Sequence, residues 1–285
     1  MKITLNDLDK FSQENNPFQK FTSRKKKFNA DKRVNGLMTN EGPNYSFETS
    51  DLEELRGNAY VDELLFVIKG GKEATVYLAK SADGYSAVKI YTELKLRSFK
   101  KDGIYRQGRF IGNARIEKAI DQGSKIGINA HQMLWVNEEF RQMKFLYEEG
   151  IPVPRPIASS GLVVVMEFIG DNEEASPRIS DLDLEKDEAE EAFRQSLNIL
   201  EKIVSTGRIH GDYSAYNLLW HKEKAVVIDF PQVVNYVSNN SAKELLQRDV
   251  TSLFKSFKKY KISSDFDEKS TYSKLLKLAA ETKTY

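Results

Sequence analysis

The stretch Arg208-Ile-His-Gly-Asp-Tyr-Ser-Ala-Tyr-Asn-Leu-Leu219 and the run Val226-Val-Ile-Asp-Phe230 behind it set three oxygen-bearing side chains around a predicted strand hairpin. They are a carboxylate (Asp212), a carboxamide five residues on (Asn217) and a second carboxylate (Asp229). Phosphoryl transfer needs such a set. One carboxylate orients the acceptor hydroxyl and can take its proton, while hard oxygen ligands hold Mg2+ against the phosphates. Any one of these residues also fits a plain turn rich in Asp and Asn; all of them at this spacing, bounded by strands, favour the chemistry. The histidines offer no rival mechanism: His210 precedes the glycine of the motif, His131 starts a predicted helix, His221 lies in the hairpin, and metal-ligand spacing is absent.

Placing those groups requires strands and helices in a particular order. Leu64–Lys69, Ala74–Lys80 and Tyr85–Tyr91 are rich in β-branched and aromatic residues and read as a three-stranded meander, punctuated by Gly70-Gly71 and the hairpin signal Asp83-Gly84. From Thr92 to about Asn129 the chain is polar and basic, a long connection with a few helical turns at most. Met133, Val136, Phe140, Met143 and Tyr147 then recur at helical spacing, with Gly150 as the stop. Gly161–Phe168 reads as a buried strand. A helix follows over about Leu184–Ser205, two short strands flank His221–Lys224, and a helix with Leu246, Val250, Leu253 and Phe257 inward precedes a last one near 270–282. The fold class expected is α+β, with a polar and basic arm at 1–60, a strand-rich lobe at 61–168 that includes one helix and the long loop 92–130, and a mainly helical lobe at 169–285.

At 285 residues, 40% hydrophobic, the chain can bury a sizeable core. It has no cysteine, which removes disulfide scaffolds, thiolate metal sites and cysteine nucleophiles. No apolar run approaches the roughly 18 residues of a membrane span, and the N-terminus lacks the apolar core of a secretory signal, so a soluble, cytoplasmic protein without membrane contact is expected. Net charge is +1, but residues 20–33 carry seven bases against one acid and residues 95–109 six against one. Both blocks fit solvated surface, and both could face a polyanion such as RNA.

The spacing H-x-D-x-x-x-x-N followed by I-D-F matches the catalytic loop and metal aspartate of protein kinases, and Ser86-Ala-Val-Lys89 stands where kinases place their phosphate-binding lysine. That lysine is expected to pair with a glutamate on the next helix; Glu139 lies beside its apolar stripe, and Glu138 is the competitor. The segments IKGGKEATVYLAK (68–80), SAVKIY (86–91), VVVMEFIG (163–170), IHGDYSAYNLLW (209–220) and VIDFPQVV (227–234) together resemble the RIO family of atypical serine/threonine protein kinases, in order over about residues 64–258. The resemblance implies a bilobal protein-kinase-like fold whose compact C-lobe lacks an activation loop and peptide-binding subdomains, with Mg2+-ATP in the cleft.

Carried over, it implies that Asp212 is catalytic, that Lys89 binds the ATP phosphates and is oriented by Glu139, and that Asn217 and Asp229 hold Mg2+ or Mn2+. Gly71, Val76, Ala87, Met166, Glu167 and Ile169 would bind the nucleotide, the last two residues through their backbones. It further implies kinase or ATPase activity and, for many members, a role in small ribosomal subunit maturation, so a ribosomal particle or RNA is the expected partner of segments 20–33 and 95–109. Gly211 stands where kinases carry the arginine of H-R-D, and Pro231 where they carry the glycine of D-F-G. Only 56 residues follow Asp229, without A-P-E, so the usual platform for an extended peptide is missing. Two alternatives stay open. One is a nucleotide-operated switch whose ATP hydrolysis drives release from a partner. The other is a small-molecule kinase of the aminoglycoside or choline type, although those usually continue with G-D-P-x-x-D-L where this chain has PQVVNYVSNNSAKELLQRDV.

Overall fold

A computed structural model describes residues 49–71, 73–92, 103–106, 114–263 and 265–282. The readings for the arm up to residue 48, for the basic run 20–33 and for all of 95–109 except 103–106 lie outside the described residues. Two compact units are present. One is drawn from Met1–Arg97, Asn113–Phe140 and Arg155–Ala175, the other from Ser98–Gly112, Arg141–Pro154 and Ser176–Tyr285.

The first unit is built on a five-stranded antiparallel sheet of β1 (Glu63–Gly70), β2 (Ala74–Ser81), β3 (Gly84–Tyr91), β4 (Pro156–Ser160) and β5 (Val163–Glu167), in the order β1-β2-β3-β5-β4. Gly84 takes φ +112 to turn β2 into β3, a conformation that suits glycine. Val163, Val164 and Val165 of β5 are all buried, as a strand covered on both faces must be. Helix α1 (Thr49–Gly57) buries Leu52 and Leu55, and Asp51 accepts the N–H of Leu162 at 3.2 Å. Gly161 sits there at φ +49, where a Cβ would overlap the Asp51 carboxylate.

The connection after β3 is more helical than its composition suggests: α2 (Gly103–Arg106) and α3 (Ala114–Asp121) interrupt it, and α4 starts at Lys125 and runs to Glu148. The buried face of α4 also differs from the apolar stripe. Met133 is 47% and Tyr147 42% exposed, while Gln132, Trp135, Val136, Glu139, Gln142, Met143 and Leu146 are buried. Polar residues with partners occupy part of that face: the Gln132 amide donates to the carbonyl of Thr92 at 2.5 Å, and Glu139 holds an ion pair. A search for apolar periodicity passes over such residues. His131 lies within α4 rather than at its start, buried with its ring 6.4 Å from that of Trp135.

In the second unit, α5 (Lys186–Ser205) buries Ala189, Ala192, Phe193, Leu197, Leu200 and Val204. The Phe193 ring meets those of Phe254, Phe257 and Phe266 edge-on at centroid distances of 5.1, 5.3 and 5.0 Å, a favourable arrangement for their quadrupoles. Short strands β6 (Arg208–Ile209) and β9 (Val234–Asn235) pair, as do β7 (Leu218–His221) and β8 (Lys224–Val227), joined by Lys222 and Glu223 at φ +48 and +60. Helix α6 (Ala242–Phe257) buries Leu246, Val250, Leu253 and Phe257. Helix α7 (Glu268–Glu281) closes the unit, its first turn capped by the Asp267 carboxylate, which accepts the Ser270 N–H at 2.7 Å. Among the described residues no helix is long and apolar enough to cross a membrane.

Candidate active site

Cross-strand register arranges the nucleotide candidates of the first unit. Val76 lies opposite Lys89, Lys89 opposite Val164, and Ala87 opposite Met166. Directly opposed residues share a face, as do residues two apart on one strand, so Val76, Ala87, Lys89 and Met166 all lie on one face of the sheet. The ammonium of Lys89 is 2.6 Å from Oε1 of Glu139, whose side chain is 2% exposed, while Glu138 is only half-buried. The Tyr91 hydroxyl donates to the other carboxylate oxygen of Glu139, and the Lys89 ammonium stands 5.0 Å from the Tyr91 ring centroid. A buried carboxylate with a cation and a hydroxyl on it is compensated, and the lysine's direction is fixed.

Gly71 follows β1, and a Cβ there would come within 3.0 Å of the Ala74 carbonyl, so the turn is closed tightly on a residue without a side chain. Glu167 ends β5. Its N–H donates to the Arg155 carbonyl at 2.9 Å and its carboxylate accepts the Arg155 N–H at 3.0 Å. The Glu167 N–H is therefore already committed within the fold.

In the second unit the β7–β8 hairpin gathers the acidic group. One residue beyond the Leu218–Val227 pair the ladder continues, with the Ile228 N–H donating to the Asn217 carbonyl at 3.0 Å, so Asp229 follows directly beside Asn217. The Asn217 amide donates to the Asp212 backbone carbonyl at 2.9 Å and to its carboxylate at 3.1 Å. Asn217 is buried, and with its side-chain nitrogen committed to Asp212 the side-chain Oδ1 is the atom that could face a cation. Asp229 adopts φ +74, uncommon for a residue with a Cβ. Asp212 reaches solvent along one side, yet desolvation of its carboxyl is the largest influence raising its pKa, followed by the charge of Asp229. The Asn217 hydrogen bond and Arg248 pull the other way.

These donors suit a hard divalent cation. Among the described residues no group of three or more His, Cys, Asp or Glu could hold a metal, so Asn217 and Asp229 would have to share Mg2+ with phosphate oxygens and water, as that ion commonly does. His210 is fully buried between the rings of Tyr213 and Phe230, at 5.4 and 5.9 Å. Burial lowers its pKa to about 4, against the charge of Asp229 and the Ile228 carbonyl, so it is neutral at pH 7.

Sequence reasoning missed Asp249 and Arg248, both on α6. Asp249 is wholly buried and accepts the N–H groups of Gly211 at 2.8 Å and Tyr213 at 2.9 Å, one on each side of Asp212. Arg248 donates to the Gly211 carbonyl. Gly211 has φ +81, and a Cβ there would stand 2.7 Å from the Gln232 carbonyl, so the motif's glycine is required by its own backbone. The signal that could have found Asp249 is a carboxylate on the inward stripe of a helix, between Leu246 and Val250.

The RIO domain family matches residues 75–271. Over 213 residues the chain is 32% identical to the RIO-type serine/threonine-protein kinase Rio1 of Haloferax volcanii, covering 74% of this chain and 68% of that one. It is 32% identical to serine/threonine-protein kinase rio1 of Schizosaccharomyces pombe over 73% of this chain and 41% of that one. For human serine/threonine-protein kinase RIO1 the identity is 30%, over 71% of this chain and 34% of the relative. The chain thus matches less than half the length of these two eukaryotic relatives. Among solved structures, the Rio2 kinase–ADP/Mg2+–phosphoaspartate complex from Chaetomium thermophilum superposes with a TM-score of 0.57 at 22% identity, covering 78% of this chain and 64% of that one. That likeness is one of fold, and the fold is kinase-like. By the extent of the domain match and the identity to Rio1 proteins, the chain belongs to the RIO family.

Proposed function

We propose that the protein is an ATP- and Mg2+-dependent phosphoryl-transfer enzyme, an atypical serine/threonine kinase of the RIO type. The observation that carries this reading is the cluster of Asp212, Asn217 and Asp229, in which an amide orients one carboxylate while its oxygen and the second carboxylate supply hard ligands. Asp212 orients the acceptor oxygen and takes its proton. Asn217 and Asp229 would hold Mg2+, which would supply positive charge against the phosphates. Lys89, directed by Glu139, contacts the phosphates, and Gly71, Val76, Ala87, Met166, Glu167 and Ile169 surround the nucleotide. In this reading residues 61–168 form the nucleotide-binding lobe and 169–285 the lobe that carries Asp212. A cytoplasmic location and a ribosomal particle as partner belong to the same reading and rest on the family alone.

A switch driven by ATP hydrolysis uses the same residues with water as acceptor, so the acceptor is what an experiment must find. Purified protein is incubated with γ-labelled ATP and Mg2+, and the label is followed. Hydroxylamine-resistant label on a serine or threonine supports the kinase. Free phosphate with no stable label on protein supports the switch. Label released by hydroxylamine marks an acyl phosphate on a carboxylate, the kind of group present in the Rio2 complex. ATP left intact by the wild-type protein contradicts the proposal.

A further inference from the structure

Between β3 and α3 the structure describes one short piece, the helical turn Gly103–Arg106, and this piece is tied to the loop that carries Asp212. The Asn239 amide donates to the Ile104 carbonyl at 2.6 Å. Tyr105 is 8% exposed, and one edge of its ring lies 3.4 Å from where a Cβ on Gly211 would stand. One guanidinium nitrogen of Arg248, Nη2, donates both to the Tyr105 hydroxyl, at 2.7 Å, and to the Gly211 carbonyl. The guanidinium carbon is 5.8 Å from the Tyr105 ring centroid.

The Gly211 carbonyl lies in the same peptide plane as the Asp212 N–H. The peptide on the other side of Gly211 is held through its N–H by Asp249 at 2.8 Å. Both planes flanking a glycine at φ +81 are therefore fixed by side chains from α6. Glycine has little conformational preference of its own to hold them. Arg248 can grip the carbonyl in one orientation only while its flat head is itself held, and the Tyr105 hydroxyl holds it. A lysine, whose ammonium turns freely on a flexible stem, has no flat head to be held in that one orientation.

We propose that Tyr105 is a positioning residue for phosphoryl transfer: acting through Arg248, it fixes the peptide plane that aims Asp212, so that turnover requires the Gly103–Arg106 turn to be seated on the Asp212 loop. This rests on the phosphoryl-transfer reading above. It gives the Gly103–Arg106 turn a task in the chemistry.

The test compares the full chain with Tyr105→Phe, Arg248→Lys and the double variant, measuring the rate of ADP formation with Mg2+-ATP alongside thermal melting. Tyr105→Phe keeps the ring and removes the hydroxyl. The expected result is a fall in kcat of about tenfold in each single variant, the loss of one charge-assisted hydrogen bond, with KM for ATP and the melting temperature close to wild type. The double variant falls no further than Arg248→Lys alone, because both changes break one linkage. Wild-type kcat in Tyr105→Phe, losses that multiply in the double variant, or a fall explained by unfolding at the assay temperature each overturn the positioning role while leaving the enzyme reading intact. A wild type that forms no ADP overturns both.

Discussion

Asp249 holds Gly211: the buried carboxylate on α6 accepts the glycine's N–H at 2.8 Å, from 38 residues further along the chain. Burial raises the pKa of Asp249 to about 7 from 3.8, opposed by the Tyr213 and Gly211 N–H groups and Arg248. A carboxyl whose folded pKa lies above its unfolded one stabilises the fold most below the unfolded value, and that stability is lost as pH rises through the folded value. Urea unfolding at pH 5 and pH 8 is expected to show a loss on the order of 3 kcal/mol across that window in the wild type, and a markedly smaller loss in Asp249→Asn. Parallel profiles for the two proteins would remove Asp249 as the titrating group.

Gly211→Ala places a Cβ 2.7 Å from the Gln232 carbonyl at φ +81. The strain is about 2 kcal/mol if the loop stays put. The more damaging outcome is that the loop moves and Asp212 with it. We expect a modest fall in melting temperature and a fall of at least about a hundredfold in phosphoryl transfer. An alanine variant with full activity would show that the glycine conformation is dispensable.

The pair Lys89–Glu139 spans fifty residues of sequence at 2.6 Å, with side-chain exposures of 13% and 2%. Breaking a buried pair by removing one partner costs about 3–5 kcal/mol, because the remaining charge is left uncompensated. The Tyr91 hydroxyl also bonds Glu139, so Lys89→Ala is expected near the lower end, about 3 kcal/mol by denaturant unfolding, with turnover reduced by weaker phosphate positioning. Glu139→Gln keeps the shape, and is expected to slow turnover while costing less stability. Indifference of both turnover and stability to Lys89→Ala would count against the pair.

Phe193 touches three aromatic rings from edge to face and is 1% exposed. Phe193→Ala is expected to cost about 4 kcal/mol, since the surrounding helices cannot close the space. Denaturant unfolding of the variant measures this directly, and a cost below about 1 kcal/mol would mean that the cluster repacks.

Much of this was legible in the sequence, and the failures have physical causes. The strands of the meander agree with their sequence reading to within one residue because alternation and a Gly turn are local signals, as at Asp83-Gly84. The inward residues of α5 and α6 follow plain helical spacing. The connection after β3 reads as mostly loop because α3, with Arg115, Glu117, Lys118 and Asp121, is strongly polar and has a loop's composition. The buried face of α4 departs from the apolar stripe because Gln132 and Glu139 are buried against partners at Thr92 and Lys89, 40 and 50 residues away in sequence. Asp212, Asn217 and Asp229 stood out because their spacing is short and fixed by a hairpin. Asp249 and Tyr105 did not, since nothing local to either residue says that the Asp212 loop will fold against it.

The central claim is that Asp212 is the carboxylate that handles the acceptor. Turnover of γ-labelled ATP in Asp212→Ala, beside ATP binding by the same protein, tests it most directly. The account predicts that turnover falls to background while ATP still binds, since the nucleotide contacts proposed for Lys89, Asn217 and Asp229 remain. Full turnover in Asp212→Ala would contradict it.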